Sequence, residues 1–554
     1  MRKGILSGIF FFFILLTGCF EDEGNYKYFS INPPKWLIDT YYENITVVCR
    51  TGKGETASFK ASDKFIWEKD SAARTNEVRY EWQLNGVVLS EKLDFEMPAD
   101  ELIRKAGIKQ LPPSGIMGSF HIIEKNSGID YMARVIFFLN PEYATADWVI
   151  LSKDGGNAKF SVLQRSKKII NGQSQDYFEL KDNRYEEVNH GKIPGNPIML
   201  CLARARNIGP LGSSTIITDQ AAYEVDNATM EKVSELKDQF LDGTPPDFQA
   251  VARREIDPSG SDVPACSFVA TRKGEIFTRR MSRNFLGGQF LTEPYYLDNK
   301  GYKITKFGHN SYAANIPCYD ELNRRIVMAT VSRVDIPTGE NPQDKIYVYK
   351  TKMVALGPVN GGVPFWDMPE GTEVLHISQN MHISWMPSLS FAYTIYYNDA
   401  AGNSYMGDFI VNNQYLTSTD NYYAKARWYR FPKKLTSESV ILKSTCHRRG
   451  VEAVYRDFYS DGPEVRFIQR GKDYSDFSIT DHPFRTFDSR VTFMTYEWYR
   501  TNNFVIVIGC ENGDVIGIDI SNIMNPKEIF KVNTGGKVVG VKELGEANSN
   551  QDYF

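Results

Sequence analysis

Apolar and polar side chains alternate with a period of two along most of this chain, the spacing of half-buried β-strands rather than of helices. In Tyr80-Glu81-Trp82-Gln83-Leu84 the alternation places Tyr80, Trp82 and Leu84 on one face, with Trp82 expected in the core of a sandwich. Asn85-Gly86 follows, a pair that supplies the positive φ angles of a tight hairpin turn, and Val87 to Leu89 returns. Ile45 to Arg50 reads as a further strand. Phe120 to Glu124, a turn at Asn126-Ser127-Gly128 and the run Tyr131 to Leu139 read as a second hairpin. Between the hairpins, Ala99 to Ala106 carries a short helical pattern. Residues 28–140 are therefore expected to form a small immunoglobulin-like β-sandwich.

From about Pro141 onward the texture changes to a repeated unit of strand, Gly-containing turn and strand. It is clear at Trp148 to Val162, Cys266 to Phe277, Tyr393 to Tyr405 and Phe504 to Ile518, and weaker at Met199 to Val225, Ala313 to Tyr349 and Val440 to Phe467. Each is read as an inner strand, a turn and an outer strand. Seven units at roughly 60 residues each predict a seven-bladed β-propeller over residues 141–554, and an all-β fold class for the whole chain. Radial closure would leave few exposed strand edges.

The N-terminus carries a different pattern. Arg2 and Lys3 precede an apolar run from Ile5 to Leu16 that is too short to span a bilayer, so residues 1–18 are expected to be a signal peptide. Leu16-Thr17-Gly18-Cys19 resembles a bacterial lipobox, in which the cysteine becomes the lipidated first residue, bearing palmitate or a similar acyl group. Cys19 is thus the expected membrane anchor, and residues 19–27 an acidic tether. Phe20, Glu21, Asp22 and Glu23 resemble the signal that carries Bacteroidetes lipoproteins to the outer face of the outer membrane. No later apolar run approaches the roughly 20 residues of a membrane helix, which leaves one point of attachment.

Composition narrows the function. With 64 Lys+Arg against 68 Asp+Glu the net charge is −4, so no overall basic field draws nucleic acid. The six cysteines after Cys19 form no C-x-x-C pair, and the sequence holds no H-E-x-x-H, G-x-S-x-G, Walker A, G-x-G-x-x-G or EF-hand pattern. The seven histidines are scattered, His376 and His382 lying six apart, and are read as surface or core residues rather than metal ligands. Neither a metal nor a cofactor is expected. Aromatic residues at loop-like or cation-flanked positions are the candidates for ligand contact: Trp366 between prolines, Trp385 before Met386-Pro387, Trp428 and Tyr429 before Arg430, and Trp498 before Tyr499-Arg500. Flat rings stack on sugar faces or peptide side chains, and a neighbouring Arg fixes a polar group.

The strand from Tyr80 to Gly86, the hairpin from Gly118 to Gly128 and the run Ala146-Asp147-Trp148-Val149-Ile150-Leu151-Ser152, in this order behind a lipobox, resemble the PKD-like family of Bacteroidetes surface lipoproteins. The resemblance implies an association with outer-membrane importers of the Sus type, dependent on TonB, and their substrate-binding lipoproteins. The expected function is that of a non-catalytic surface lipoprotein capturing glycan, or alternatively peptide, for such an importer. Two alternatives stay open: a propeller glycan hydrolase or lyase with two convergent carboxylates, and a structural subunit with no ligand of its own.

Overall fold

The structure is a computed structural model describing residues 32–50, 56–69, 71–108, 115–140, 146–170, 173–203, 212–256, 266–280, 289–308, 315–339, 341, 343–358, 364–380, 391–411, 422–448, 451–470, 481–497 and 504–544. The chain divides into two compact units, with the division between Leu139 and Asn140. The expected signal peptide and tether, and with them Cys19, lie outside the described residues.

The N-terminal unit is the expected sandwich. Its main sheet has the strand order Ile45–Arg50, Asp130–Asn140, Ile116–Glu124, Val78–Leu84, Val87–Ser90, all antiparallel, with a smaller sheet of Thr56–Lys60 and Asp94–Pro98. Asn85 and Gly86 take φ of 50° and 75°, so the tight turn forms where the Asn-Gly pair calls for it. Trp82 is fully buried among Phe59, Phe95 and Phe120, and its indole N–H donates to the carbonyls of Lys92 and Leu93 at 3.0 and 3.2 Å. Its polar edge is thus satisfied while the ring fills the core. The helix Ala99–Lys105 is present; a second, Ser71–Glu77, carries no apolar periodicity and was not anticipated.

The C-terminal unit contains seven antiparallel sheets among the described residues, one for each repeat seen in the sequence. In chain order they are built on residues 146–194, 197–235, 250–280, 304–355, 373–430, 440–486 and 491–533, each with four strands except the first, which has five, and the third, which has three. Their strands pair in sequence order except in the first sheet, where the short strand Ile193–Pro194 pairs back with Asn157 and Ala158. The first sheet takes its inner edge from the other end of the chain: Val538–Glu543 pairs with Ala146–Asp154, in a register that sets Trp148 opposite Glu543 and Leu151 opposite Gly540. The repeated hairpins at Cys266, Tyr393 and Phe504 are consequently the second and third strands of their sheets, not an inner and an outer strand as the repeat suggested. In the first sheet the same holds for Ala146–Asp154, because the C-terminal strand displaces it from the edge.

Seven apolar clusters hold these sheets together, and each is shared by two consecutive sheets. Val149, Phe160, Ile216 and Val225 join the first to the second; Ile217, Leu236, Val269 and Phe277 join the second to the third. The series continues through the clusters of Phe268 with Cys318, Tyr319 with Phe409, Tyr396 with Tyr459, and Phe458 with Ile506. Trp148, Ile150, Val507 and Phe530 then join the seventh back to the first. Seven sheets with seven shared interfaces make a closed ring, a seven-bladed propeller. Closure is reinforced at the seam: the Lys153 amide donates to the Lys537 carbonyl at 2.9 Å, the Leu544 amide to Asp147 at 2.8 Å, and the Thr492 hydroxyl of the seventh blade to Val538 at 2.6 Å. The incoming strand also needs Gly540, since a Cβ there would stand 2.7 Å from the Cβ of Leu200.

One interface is ionic as well as apolar. Between the second and third blades, fully buried Arg253 pairs with Glu224 and Glu255 and donates to Thr215 and Ser267, while Arg279 reaches Glu224 at 3.1 Å. Burial alone would raise the Glu224 carboxyl, but the two guanidinium groups overcome it and hold the group below its usual range. Removing the shared carboxylate takes the ion-pair partner from Arg279 and leaves Arg253 with Glu255 alone in a dry interface. Glu224→Gln is therefore expected to cost about 3–5 kcal/mol, read as a lowered urea midpoint for the propeller transition; a loss below about 1 kcal/mol would mean that the network is not sequestered from water.

Candidate functional site

Ring closure sets the inner strands around a common centre. Strands Val538–Glu543, Pro197–Ala203, Ala250–Ile256, Glu373–Asn380, Val440–Arg448 and Val491–Glu497 come from six blades, and together they line one cavity of about 510 Å³. The volume falls within the range of small-ligand pockets. The rim of this funnel is formed where the inner strands begin, by Ser437, Glu438, Ser439, Arg490 and Lys537; the throat holds Arg254, His376, Lys443 and Lys542.

The throat residues follow from strand position. Lys443 stands fourth in Val440–Arg448, after Ile441 and Leu442, which commit to the interfaces on either side of the sixth blade. His376 is likewise fourth in its strand, Lys542 fifth in Val538–Glu543 and Arg254 fifth in Ala250–Ile256. Lys306, third in Ile304–Phe307, adds a cation from the fourth blade beside this group. Apolar residues near the start of each inner strand anchor it, and the next positions project a basic group into the funnel.

Fixed contacts orient these groups. Lys443 is buried and pairs with Asp457 at 3.4 Å, and Asp457 also accepts from the Tyr396 hydroxyl at 2.7 Å. The His376 ring lies edge-on to Tyr396, with centroids 6.0 Å apart. Arg254 donates to the carbonyls of Arg253 and Gly308 at 3.0 and 3.3 Å and lies 3.4 Å from the sulfurs of Met199 and Cys201. At the rim, Arg490 bridges Glu438 and Asp461 at 3.0 and 3.4 Å.

Of the charged lining residues described, Arg254, Lys443, Arg490, Lys537 and Lys542 are cationic and Glu438 is the one carboxylate. The electrostatic effect registers on the neighbours. Burial, followed by the cations of Lys443, Lys306 and Arg254, pushes the His376 imidazole down to about 3, while Asp457 opposes the shift. Burial also lowers the Lys306 ammonium, with Glu373 opposing. Among the described residues, no group of three or more His, Cys, Asp or Glu side chains is placed to hold a metal ion.

The aromatic candidates lie elsewhere. Trp366 is half-buried and packs on the cluster between the fourth and fifth blades; Tyr429 is half-buried and packs on the cluster between the fifth and sixth. Neither lines the funnel. Trp428 falls within the strand Tyr422–Arg430, but its side chain is outside what the structure describes, as are Trp385 and Trp498 entirely. The basic throat was missed in the sequence. Its signal was a charged residue inside an otherwise apolar first strand, as in Val440-Ile-Leu-Lys443 and Val538-Val-Gly-Val-Lys542.

Residues 19–197 match the PKD-like family, a stretch that includes the sandwich and runs on through the first blade. No curated protein matches the chain. Among solved structures, the chain is similar to a quinonprotein alcohol dehydrogenase-like protein from Bacteroides thetaiotaomicron, at 11% identity and a TM-score of 0.24, over 82% of this chain and 97% of that one. It is also similar to BBS1N in complex with ARL6DN, at 12% identity and a TM-score of 0.31, over 60% of this chain and 87% of that one. A chain of the mitotic checkpoint complex matches at 8% identity and a TM-score of 0.30, over 61% and 81%. The propeller is read from the sheet order and shared interfaces of the chain itself.

A lowered imidazole pKa couples His376 to acid stability. The unfolded chain takes up a proton near pH 6.5 and the folded chain only near pH 3, so the stability His376 contributes is complete above pH 6.5 and lost as pH falls through that window. His376→Gln is expected to flatten the fall of the propeller's urea midpoint between pH 6.5 and 4, by up to about 1.4 kcal/mol per pH unit. Equal slopes in the two proteins would show that the imidazole is not held away from water.

Proposed function

We propose that this protein is a non-catalytic capture protein, anchored through a lipid on Cys19 to the outer face of a bacterial outer membrane, that binds glycan for an adjacent TonB-dependent importer of the Sus type and its substrate-binding lipoprotein. The observation that carries this reading is the funnel: a cavity of about 510 Å³ at the centre of a closed ring, lined by residues from six blades. A binding site assembled from so many strands is held rigidly, which limits the ordering cost of ligand binding.

The charge of the lining supports binding rather than hydrolysis. A glycoside hydrolase places two carboxyl groups about 5–10 Å apart across the scissile bond. The described lining of the funnel offers Glu438 alone, and that side chain is engaged by Arg490 at the rim. The lipobox, the acidic residues after Cys19 and the PKD-like match over residues 19–197 support the surface location and the importer association.

Two outcomes test the reading. In whole cells, surface protease should remove the protein, and Cys19→Ala should release it from the membrane fraction; retention of Cys19→Ala in the membrane would remove the anchor from the account. Affinity purification of the detergent-solubilised full-length chain should bring down an outer-membrane importer, whereas purification of the chain alone would count against an accessory role.

A further inference from the structure

The outer face of the sandwich's main sheet carries a set of side chains that the funnel does not. In the strand Ile116–Glu124, Phe120 and Ile122 are buried in the core, so Ser119 and His121 stand two residues apart on the opposite face. The neighbouring strand pairs Asp130 with Ile123 and Met132 with His121, which places Asp130 on that face too, diagonal to the histidine. The three side chains form a relay. His121 Nδ1 lies 2.8 Å from the Asp130 carboxylate, and Nε2 lies 2.7 Å from the Ser119 hydroxyl. With the Nδ1 proton held by Asp130, Nε2 accepts and Ser119 donates, the tautomer in which an imidazole serves a serine as general base. The His121 side chain is 12% exposed and that of Asp130 43%, so the imidazole is sheltered while the relay opens to solvent.

Two donors flank the serine. The register sets Arg134 directly across from Ser119 on one side and Gln83 on the other. Arg134 is exposed and has no ion-pair partner among the described residues. Gln83 Nε2 gives one proton to Glu81 at 2.7 Å and keeps a second. Directly opposed residues have Cβ atoms about 4.5–5.5 Å apart, so both donors reach the space beside Ser119 where a carbonyl oxygen would turn negative. Met117 precedes Ser119 by two residues on the same face, and Met132 stands across from His121; each is about half exposed and offers apolar contact to a short acyl chain.

We propose that Ser119, His121 and Asp130 are the nucleophile, general base and positioning residue of a site that hydrolyses esters of short acyl groups. This goes beyond the capture reading: the funnel remains a binding site without chemistry, and the ester is handled in the other unit. Ser119 Oγ attacks the ester carbonyl carbon as its proton passes to His121 Nε2; the bond from that carbon to the alcohol oxygen breaks, and the departing alkoxide takes the proton. Water then adds to the acyl-serine and gives its proton to His121. The bond between Oγ and the acyl carbon breaks, the carboxylic acid leaves, and Oγ recovers its proton. Asp130 stays ionised throughout, holding the ring and balancing the imidazolium. Arg134 and Gln83 meet the oxyanion of both tetrahedral intermediates.

The test uses the detergent-solubilised full-length chain with a fluorophosphonate probe and with p-nitrophenyl acetate. The probe is expected to label Ser119, located by peptide mass mapping; the label should vanish in Ser119→Ala and form about a hundred-fold more slowly in His121→Gln. Hydrolysis of p-nitrophenyl acetate should fall to the buffer rate in Ser119→Ala. The three side chains lie off the core face, and an unchanged urea midpoint of the sandwich checks that each variant folds. Asp130→Asn is expected to lower kcat about ten-fold or more with KM unchanged, and Asp130→Glu to restore part of it, a split that a merely structural contact does not produce. Arg134→Gln, at an exposed position, should lower kcat/KM several-fold. Labelling of Ser119 at an equal rate in His121→Gln would show a serine that no base activates and would overturn the proposal. So would p-nitrophenyl acetate hydrolysis that is absent from the native chain or undiminished in Ser119→Ala. None of these results bears on the funnel, so the capture reading stands or falls by its own test.

Discussion

The antiparallel pairing of Val538–Glu543 with Ala146–Asp154 is the contact on which the rest of this structure depends. Six of the seven apolar interfaces join blades that are neighbours in sequence and can form as the chain extends. The seventh, where Trp148 and Ile150 meet Val507 and Phe530, joins segments more than 350 residues apart and forms only once the ends have met. Without the C-terminal strand, the first blade would expose an unpaired edge and the seventh an apolar face, both liabilities for a sheet-rich protein. Placing strands from both ends of the unit in one sheet converts a row of seven blades with six interfaces into a ring without free ends.

Closure also makes the functional site. Among the described residues no backbone ladder joins the inner strands of different blades, so the space between them is available to side chains. Apolar residues such as Ile441, Leu442 and Val541 are drawn into the interfaces, which leaves adjacent positions to face the funnel, and in several blades these are basic. Lys542 belongs to the closing strand itself, so the closure that removes the edge also delivers a cation to the throat. Fold stability and the lining of the funnel share these residues, and the burial that, with the nearby cations of Lys443 and Lys306, disfavours a protonated His376 follows from the same closure.

Much of the fold was legible in the sequence because period-two alternation and Gly-containing turns are local signals. Trp82 and the Asn85-Gly86 turn stand where the pattern puts them, and each of the seven repeats corresponds to a blade. What escaped was non-local. Nothing in the run Val538–Glu543 announces that it leaves the seventh repeat to complete the first, and so the strongest repeats were assigned to the inner and outer strands when they are the second and third. The funnel escaped for the same reason: Arg254, His376, Lys443 and Lys542 are separated by 67 to 122 residues and share nothing but their place in the inner strands of four different blades. Flanking prolines mark Trp366 and an adjacent arginine marks Tyr429 as candidates for exposure, whereas both rings pack on interfaces between blades.

Hydrogen exchange at the seam tests the central claim most directly. If the ring is closed as described, the backbone amides of residues 538–543 exchange as slowly as those of residues 146–154 and 505–510, because they report one cooperative unit. If residues 538–543 instead exchange within seconds while the inner hairpins of the seven blades stay protected, the C-terminal strand is not part of the first blade, and both the closed ring and the funnel it encloses are wrong.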